Sequence, residues 1–202
     1  MSVDQKKPLV LICPLTRQLP ELKDVDLAAV DGGLDILRSM NITPIWAIGD
    51  FDSGKDPGIT GYPVYRHPVC KDETDTELAL MKAEELGYKK VIVYGALGGR
   101  LDHTLANLRL ITWRYPQTTL MDERQRVSVL CEGEHLLKNE YRHVSFFAME
   151  PTVITLEGFD YPLDHQTIDQ KDFYTCSNSI SKNEARVIIH SGRVICVETD
   201  FA

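Results

Sequence analysis

Up to residue 115 this chain alternates short apolar runs with helix-length segments; beyond that point it does not. Leu9–Cys13, Leu27–Val30, Ile45–Ile48 and Val91–Tyr94 read as strands, with Val64–Arg66 as a shorter one. Strands separated by helix-length crossovers pair in parallel, and their continuous apolar character suits a sheet covered on both faces. Leu34–Met40 reads as the first helix, with Leu34, Ile36 and Leu37 apolar. Thr74-x-x-Glu77 is a capping-box pattern that opens a second helix. Ala79, Ala83 and Leu86 form its apolar stripe, and Gly87 is placed to stop it. Asp102 is placed to cap a third helix, whose Leu101, Leu105, Leu108 and Thr112 share a face.

From Thr118 onward the pattern is strand and turn: Arg126–Cys131, His135–Leu137, Val144–Met149, Val153–Leu156, Arg186–His190 and Arg193–Glu198. The last two flank Ser191-Gly192, a two-residue hairpin signal. The chain therefore reads as two domains. Residues 1–118 form an α/β unit with an open, mostly parallel sheet, and residues 119–202 form a small antiparallel β-sandwich. A chain of 202 residues buries a sizeable core without disulfide or metal staples.

Charge narrows the function classes. Lys and Arg number 22 against 30 Asp and Glu, a net charge of −8, which argues against a broad nucleic-acid face. If the ligand is a polyphosphate, a divalent cation held by surplus carboxylates is the simplest way to neutralise it. The five cysteines are scattered and form no CxxC, so neither a disulfide framework nor a zinc site is expected, and a reducing cytoplasm is. Pro8 and Pro14 interrupt the apolar run after Lys6 and Lys7, which argues against a signal peptide. No apolar stretch approaches the roughly 18 residues of a membrane helix.

Three motifs follow strands: Asp31-Gly32-Gly33, Gly49-Asp50-Phe51-Asp52-Ser53 and Gly98-Gly99-Arg100-Leu101-Asp102-His103. In an open parallel sheet, ligands bind at the edge where the strands end, so these motifs converge there. Asp50 and Asp52 are two apart, and in extended backbone they point to one side. Such a pair suits Mg²⁺, although it also reads as a polar turn. Asp72 and Asp75 have a strong structural alternative. Asp75 falls in a first helical turn, where the helix dipole stabilises a negative charge by roughly 0.3–1 kcal/mol. Asp72 also reads as turn chemistry. Four carboxylates around one pocket would nonetheless demand a cation, because like charges raise each other's pKa. Arg100 offers a guanidinium fork to a phosphate, and Asp102 either caps its helix or orients an attacking hydroxyl. Lys71 either reaches a phosphate or is solvated, and His103 reads as structural. Tyr161 and the pair Ser177-Asn178 stand out in the second half, where core or turn roles compete with binding.

Taken in order, Asp31-Gly32-Gly33, GDFDS, Asp72-Glu73-Thr74-Asp75, GGRLDH with Asn107, and the late Ser177-Asn178 resemble the thiamine pyrophosphokinase family in its bacterial form. The resemblance spans nearly the whole chain. It implies transfer of the pyrophosphoryl group of ATP to the hydroxyl of thiamine, giving AMP and thiamine diphosphate. It further implies Mg²⁺ as cofactor, ATP as co-substrate, and a homodimer with thiamine held between chains. No nucleic acid or membrane partner is implied. By the same resemblance Asp31, Asp50, Asp52, Asp72 and Asp75 fall around Mg–ATP, with Asp50, Asp52, Asp72 and Asp75 as the metal set. Arg100 and Asp102 fall near the phosphates and the thiamine hydroxyl. Tyr161 falls on an aromatic position that stacks on thiamine, and Ser177 and Asn178 on a substrate-side segment in which Cys176 stands where relatives have Thr. A fixed thiazolium cation suits both an acidic and an aromatic wall. Two rival readings are a Mg-dependent phosphohydrolase using an aspartyl nucleophile and a non-catalytic sensor of thiamine diphosphate. The first leaves GGRLDH unexplained, and the second leaves the retained carboxylates unexplained.

Overall fold

A computed structural model describes residues 7–19, 21, 23–52, 57–58, 60–68, 70 and 72–201. The chain divides into two compact units: Met1–Leu110 with Leu120–Glu123, and Ile111–Thr119 with Arg124–Ala202.

The first unit is built on β1 (Leu9–Ile12), β2 (Asp26–Val30), α1 (Gly33–Ser39), β3 (Ala47–Gly49), β4 (Val64–Arg66), α2 (Asp75–Glu85), β5 (Val91–Tyr94), most of α3 (Leu101–Trp113) and the end of β6 (Thr118–Met121). Strand order is β5-β1-β2-β3-β4, and every pair is parallel. All four residues of β1 are fully buried, as expected of a central strand covered on both faces. Thr74 caps α2 by accepting the Glu77 N–H at 3.2 Å, and Gly87 follows the helix at φ 80°. Both signals were legible in sequence.

The expected apolar face of α3 is a correction. Leu101 is 71% exposed and Leu105 53%, while Asn107, Leu110 and Ile111 are buried; of the expected face only Thr112 is buried, with Leu108 half-buried. The helix is rotated so that Leu110 and Ile111 face inward, and Asn107 goes in with them, its amide satisfied by a hydrogen bond to the Ala96 carbonyl. Asp102 lies within the first turn instead of capping it.

The second unit contains β7 (Gln125–Lys138), β8 (His143–Ala148), β9 (Thr152–Glu157), β10 (Leu163–Ile168) and β11 (Glu184–Thr199). All its strand pairs are antiparallel. The expected hairpin at Ser191-Gly192 is absent. β11 continues through these residues and pairs with β7 from Glu184↔Lys138 to Thr199↔Gln125, shifting register between Ile189 and Arg193. The glycine serves a bulge. A Cβ at Gly192 would lie 2.5 Å from Thr152 Oγ1, and its φ is +82°. For the same reason the two expected strands Arg126–Cys131 and His135–Leu137 are one, β7. The first half of β11 carries β9 and the second half carries β8, and both fold over one core containing Phe146, Ile154, Val187 and Val194. Edge strand β10 escaped the sequence reading because Leu163–Ile168 is mostly polar and exposed. No helix among the described residues is long and apolar enough to cross a membrane.

Candidate active site

From β1 the chain moves one way along the sheet to β2, and the chain leaving β5, on the other side of β1, moves the opposite way to β6. This is a topological switch point, where the loops part and leave a crevice. A cleft of about 220 Å³ lies there, lined by Cys13, Pro14 and Leu15 after β1 and by Gly95, Ala96 and Gly98 after β5. Arg100, His103, Asn107 and Thr76 complete it.

The acidic cluster forms at the ends of the next two strands. Asp31 follows β2 at φ 46°, and its N–H donates to Ile48 O at 2.8 Å. Gly49 ends β3, where a Cβ would sit 2.9 Å from the Asp31 Cα. Only glycine permits this approach, which brings Asp31 beside Asp50 and Asp52. One carboxylate oxygen of each of the three lies within 4.8 Å of the others. Asp50 Oδ1 also accepts the Asp52 N–H at 3.1 Å across Phe51, whose φ is 56°. An all-oxygen set of this size fits a hard divalent cation. Among the described residues Asp72 and Asp75 are not part of this cluster. Asp72 is exposed, and Asp75 is half-buried in the first turn of α2. Asp75 still acts on the cleft, because burial first, then the charges of Asp75 and Asp31, push the Cys13 thiol up to about 12. Lys71 and Ser53 lie outside the described residues.

On the other side of the cleft Arg100 grips Asp102 with both ends of its fork, Nε to Oδ1 at 3.2 Å and Nη2 to Oδ2 at 2.6 Å. Both side chains are exposed. The hydrogen bond from Arg100 holds the Asp102 carboxyl below its usual range, helped by the His103 N–H. Asp102 is therefore held as a carboxylate, able to orient a hydroxyl, and the Arg100 bond makes it a weaker proton acceptor for as long as it lasts. Thr104 and Asn107 were not given roles from sequence. Thr104 Oγ1 donates to Gly98 O at 3.1 Å and Asn107 Nδ2 to Ala96 O at 3.0 Å. Helical spacing sets Asn107 off the face expected to be buried, so its inward position comes from the fold and not from the sequence pattern.

In the second unit Tyr161 is 71% exposed, and it is held by its backbone. Asn178, 3% exposed, accepts the Tyr161 N–H at 3.1 Å and donates Nδ2 to Tyr161 O at 2.9 Å. Ser177 is exposed at φ 60°, and its N–H donates to Ser145 Oγ at 2.9 Å. The structure thus brings Tyr161 and Asn178 together, with Asn178 acting as a clamp on the loop that displays the ring.

A cleft at a parallel-sheet switch point, a carboxylate cluster and an arginine fork, followed in the chain by an antiparallel unit that presents an aromatic ring, define a two-domain transferase of the phosphate-handling kind. Residues 21–121 match the model for the thiamin pyrophosphokinase catalytic domain, and residues 134–195 match that for the thiamin pyrophosphokinase vitamin B1 binding domain. The chain belongs to the thiamin pyrophosphokinase family. It is 28% identical over 185 residues to the thiamine pyrophosphokinase of Bacillus subtilis strain 168, covering 84% of this chain and 85% of that protein. The crystal structure of thiamine pyrophosphokinase from Bacillus subtilis superposes with a TM-score of 0.86 at 24% identity, covering 97% of this chain and all of that one. The enzyme from Geobacillus thermodenitrificans gives 0.84 at 26% identity, covering 96% and 98%.

Proposed function

We propose that this protein transfers the pyrophosphoryl group of ATP to the hydroxyl of thiamine, forming AMP and thiamine diphosphate. The observation that carries the reading is the convergence of Asp31, Asp50 and Asp52 at the sheet edge that also holds the Gly98-Gly99-Arg100 loop. Asp31, Asp50 and Asp52 would hold Mg²⁺, with Asp72 and Asp75 as further acidic positions around the nucleotide. The ion, when bound, supplies charge neutralisation for the phosphate oxygens. Arg100 releases Asp102 to grip phosphate, and the freed Asp102 carboxylate orients the thiamine hydroxyl and accepts its proton. Lys71, a cation next to Asp72 in the chain, is assigned to the phosphates. Tyr161 offers its exposed face to the thiazolium cation, Asn178 fixes its loop, and Ser177 is assigned to the substrate side of the same segment as Asn178.

We assign the Mg–ATP role to residues 1–118 and the thiamine role to residues 119–202. A homodimer suits the apolar side chains that α3 leaves in solvent, Leu101 and Leu105. Five free cysteines suit the cytoplasm.

The test is incubation with thiamine, ATP and Mg²⁺ followed by separation of products. AMP and thiamine diphosphate are expected in equal amounts. EDTA should abolish both, and Asp52→Asn should cost several kcal/mol of barrier, on the order of a hundredfold or more in rate. ADP or free phosphate formed without regard to thiamine would instead favour a phosphohydrolase. Binding of thiamine diphosphate without turnover would favour a sensor.

A further inference from the structure

We infer that Thr104 and Asn107 are positioning residues that, from one face of α3, set the peptide planes of the Ala96–Gly99 loop and so present its amides to the phosphates of the nucleotide. The inference rests on the nucleotide reading above.

Gly98 and Gly99 have φ of 82° and 63°. Two adjacent glycines have little intrinsic preference for one peptide orientation, so their orientation must be imposed from outside. α3 imposes it. Thr104 and Asn107 are three residues apart on the helix, hence neighbours on one face. Asn107 holds the Ala96 carbonyl at 3.0 Å, and Thr104 holds the Gly98 carbonyl at 3.1 Å, its nearer acceptor, with Arg100 O at 3.4 Å as the other. Asn107 is 5% exposed, and a buried amide in a helix interior is costly unless it is bonded. Leu110 and Ile111 are buried on the same side of α3, so apolar burial turns this face inward, and the bond to Ala96 satisfies the amide that goes with them.

The described chain has no cis peptide. In a trans peptide the N–H points opposite to the C=O of the same unit. With the carbonyls of Ala96 and Gly98 drawn to α3, the N–H groups of Leu97 and Gly99 are turned away from it. Among the described residues neither N–H donates to a backbone carbonyl. Arg100 follows directly. Ala96, Gly98 and Arg100 line the cleft, so loop amides free of backbone partners beside this guanidinium form a donor set for a phosphate oxyanion. Without the two clamps the glycine pair would sample other orientations, and nucleotide binding would bear the ordering cost.

The test separates phosphate recognition from general structure. Thr104→Val keeps the shape and removes the donor, whereas Thr104→Ser keeps the hydroxyl. Asn107→Asp keeps the shape and sets a carboxylate against Ala96 O. Mg²⁺-ATP affinity is measured directly by calorimetry, with adenosine as the phosphate-free comparison. Thr104→Val should weaken ATP about three- to tenfold, the loss of one net hydrogen bond. Asn107→Asp should weaken it further, and Thr104→Ser should restore it. Adenosine affinity and the KM for thiamine should not move, while the KM for ATP rises. Unchanged ATP affinity in Thr104→Val, or an equal loss for adenosine, overturns the inference. If Asn107→Asp does not fold, the Thr104 pair carries the test alone. Failure of the unmodified protein to make thiamine diphosphate would sink the proposed function. A working enzyme whose Thr104→Val variant binds ATP normally sinks only the role of these two residues.

Discussion

Truncating Asn178 to alanine separates a clamp from a contact residue. The side chain makes three hydrogen bonds to backbone: it accepts from the N–H groups of Tyr161 and Ser179, at 3.1 and 2.9 Å, and donates to Tyr161 O at 2.9 Å. The backbone bridge between Asn178 and Val144 survives the substitution. Each lost bond is worth about 0.5–1.5 kcal/mol net, so Asn178→Ala should destabilise by about 2–4 kcal/mol. For a chain of this length that corresponds to a fall in melting temperature of about 5–12 °C. Tyr161→Ala is the comparison. Its ring is 71% exposed, so stability should stay within about 0.5 kcal/mol of the parent. Both variants should lose thiamine affinity, and the double variant should lose less than the two singles together, because Asn178 acts through Tyr161. Calorimetry gives the stabilities, and thiamine titration gives the affinities. An Asn178→Ala variant that melts within a degree of the parent, or additive losses of affinity, would refute the clamp.

Two further outcomes follow from the cleft walls. Gly95 has φ +75°, and a Cβ there would lie 2.1 Å from Thr16 Oγ1 and 2.4 Å from Thr16 N. Gly95→Ala should destabilise by about 2–4 kcal/mol through overpacking and backbone strain, and an ordinary urea midpoint would contradict this. Cys13 concerns alkaline pH. Burial and the nearby carboxylates raise its pKa from 9.0 to about 12, so the folded protein keeps a proton that the unfolded chain releases. Stability is therefore unaffected below pH 9 and falls as pH rises toward 12. Cys13→Ser should flatten that fall, and an unchanged slope between pH 9 and 11 would show that other groups, Tyr88 and Cys196 among them, carry it.

The sequence by itself determined the class of the first unit, because parallel strands buried on both faces must be apolar runs, and crossovers must be helix-length. Local chemistry was equally legible. Thr74 caps α2 and Gly87 ends it, since both signals act within one turn. The family was legible too, in motifs whose order and spacing survive at low overall identity. Other features depend on distant neighbours. Asp31 joins Asp50 and Asp52 because β2 and β3 pair and Gly49 lets them approach, whereas among the described residues Asp72 and Asp75 stand apart from that cluster. The Ser191-Gly192 pair reads as a hairpin until β7 is seen running alongside both halves of β11, and then it is a bulge. The inward face of α3 has two apolar candidates in sequence, Leu101 with Leu105 and Leu110 with Ile111, and spacing within the helix does not choose between them. The fold chooses: Leu110 and Ile111 are buried beside Asn107, which bonds the Ala96 carbonyl, and Leu101 and Leu105 are left in solvent.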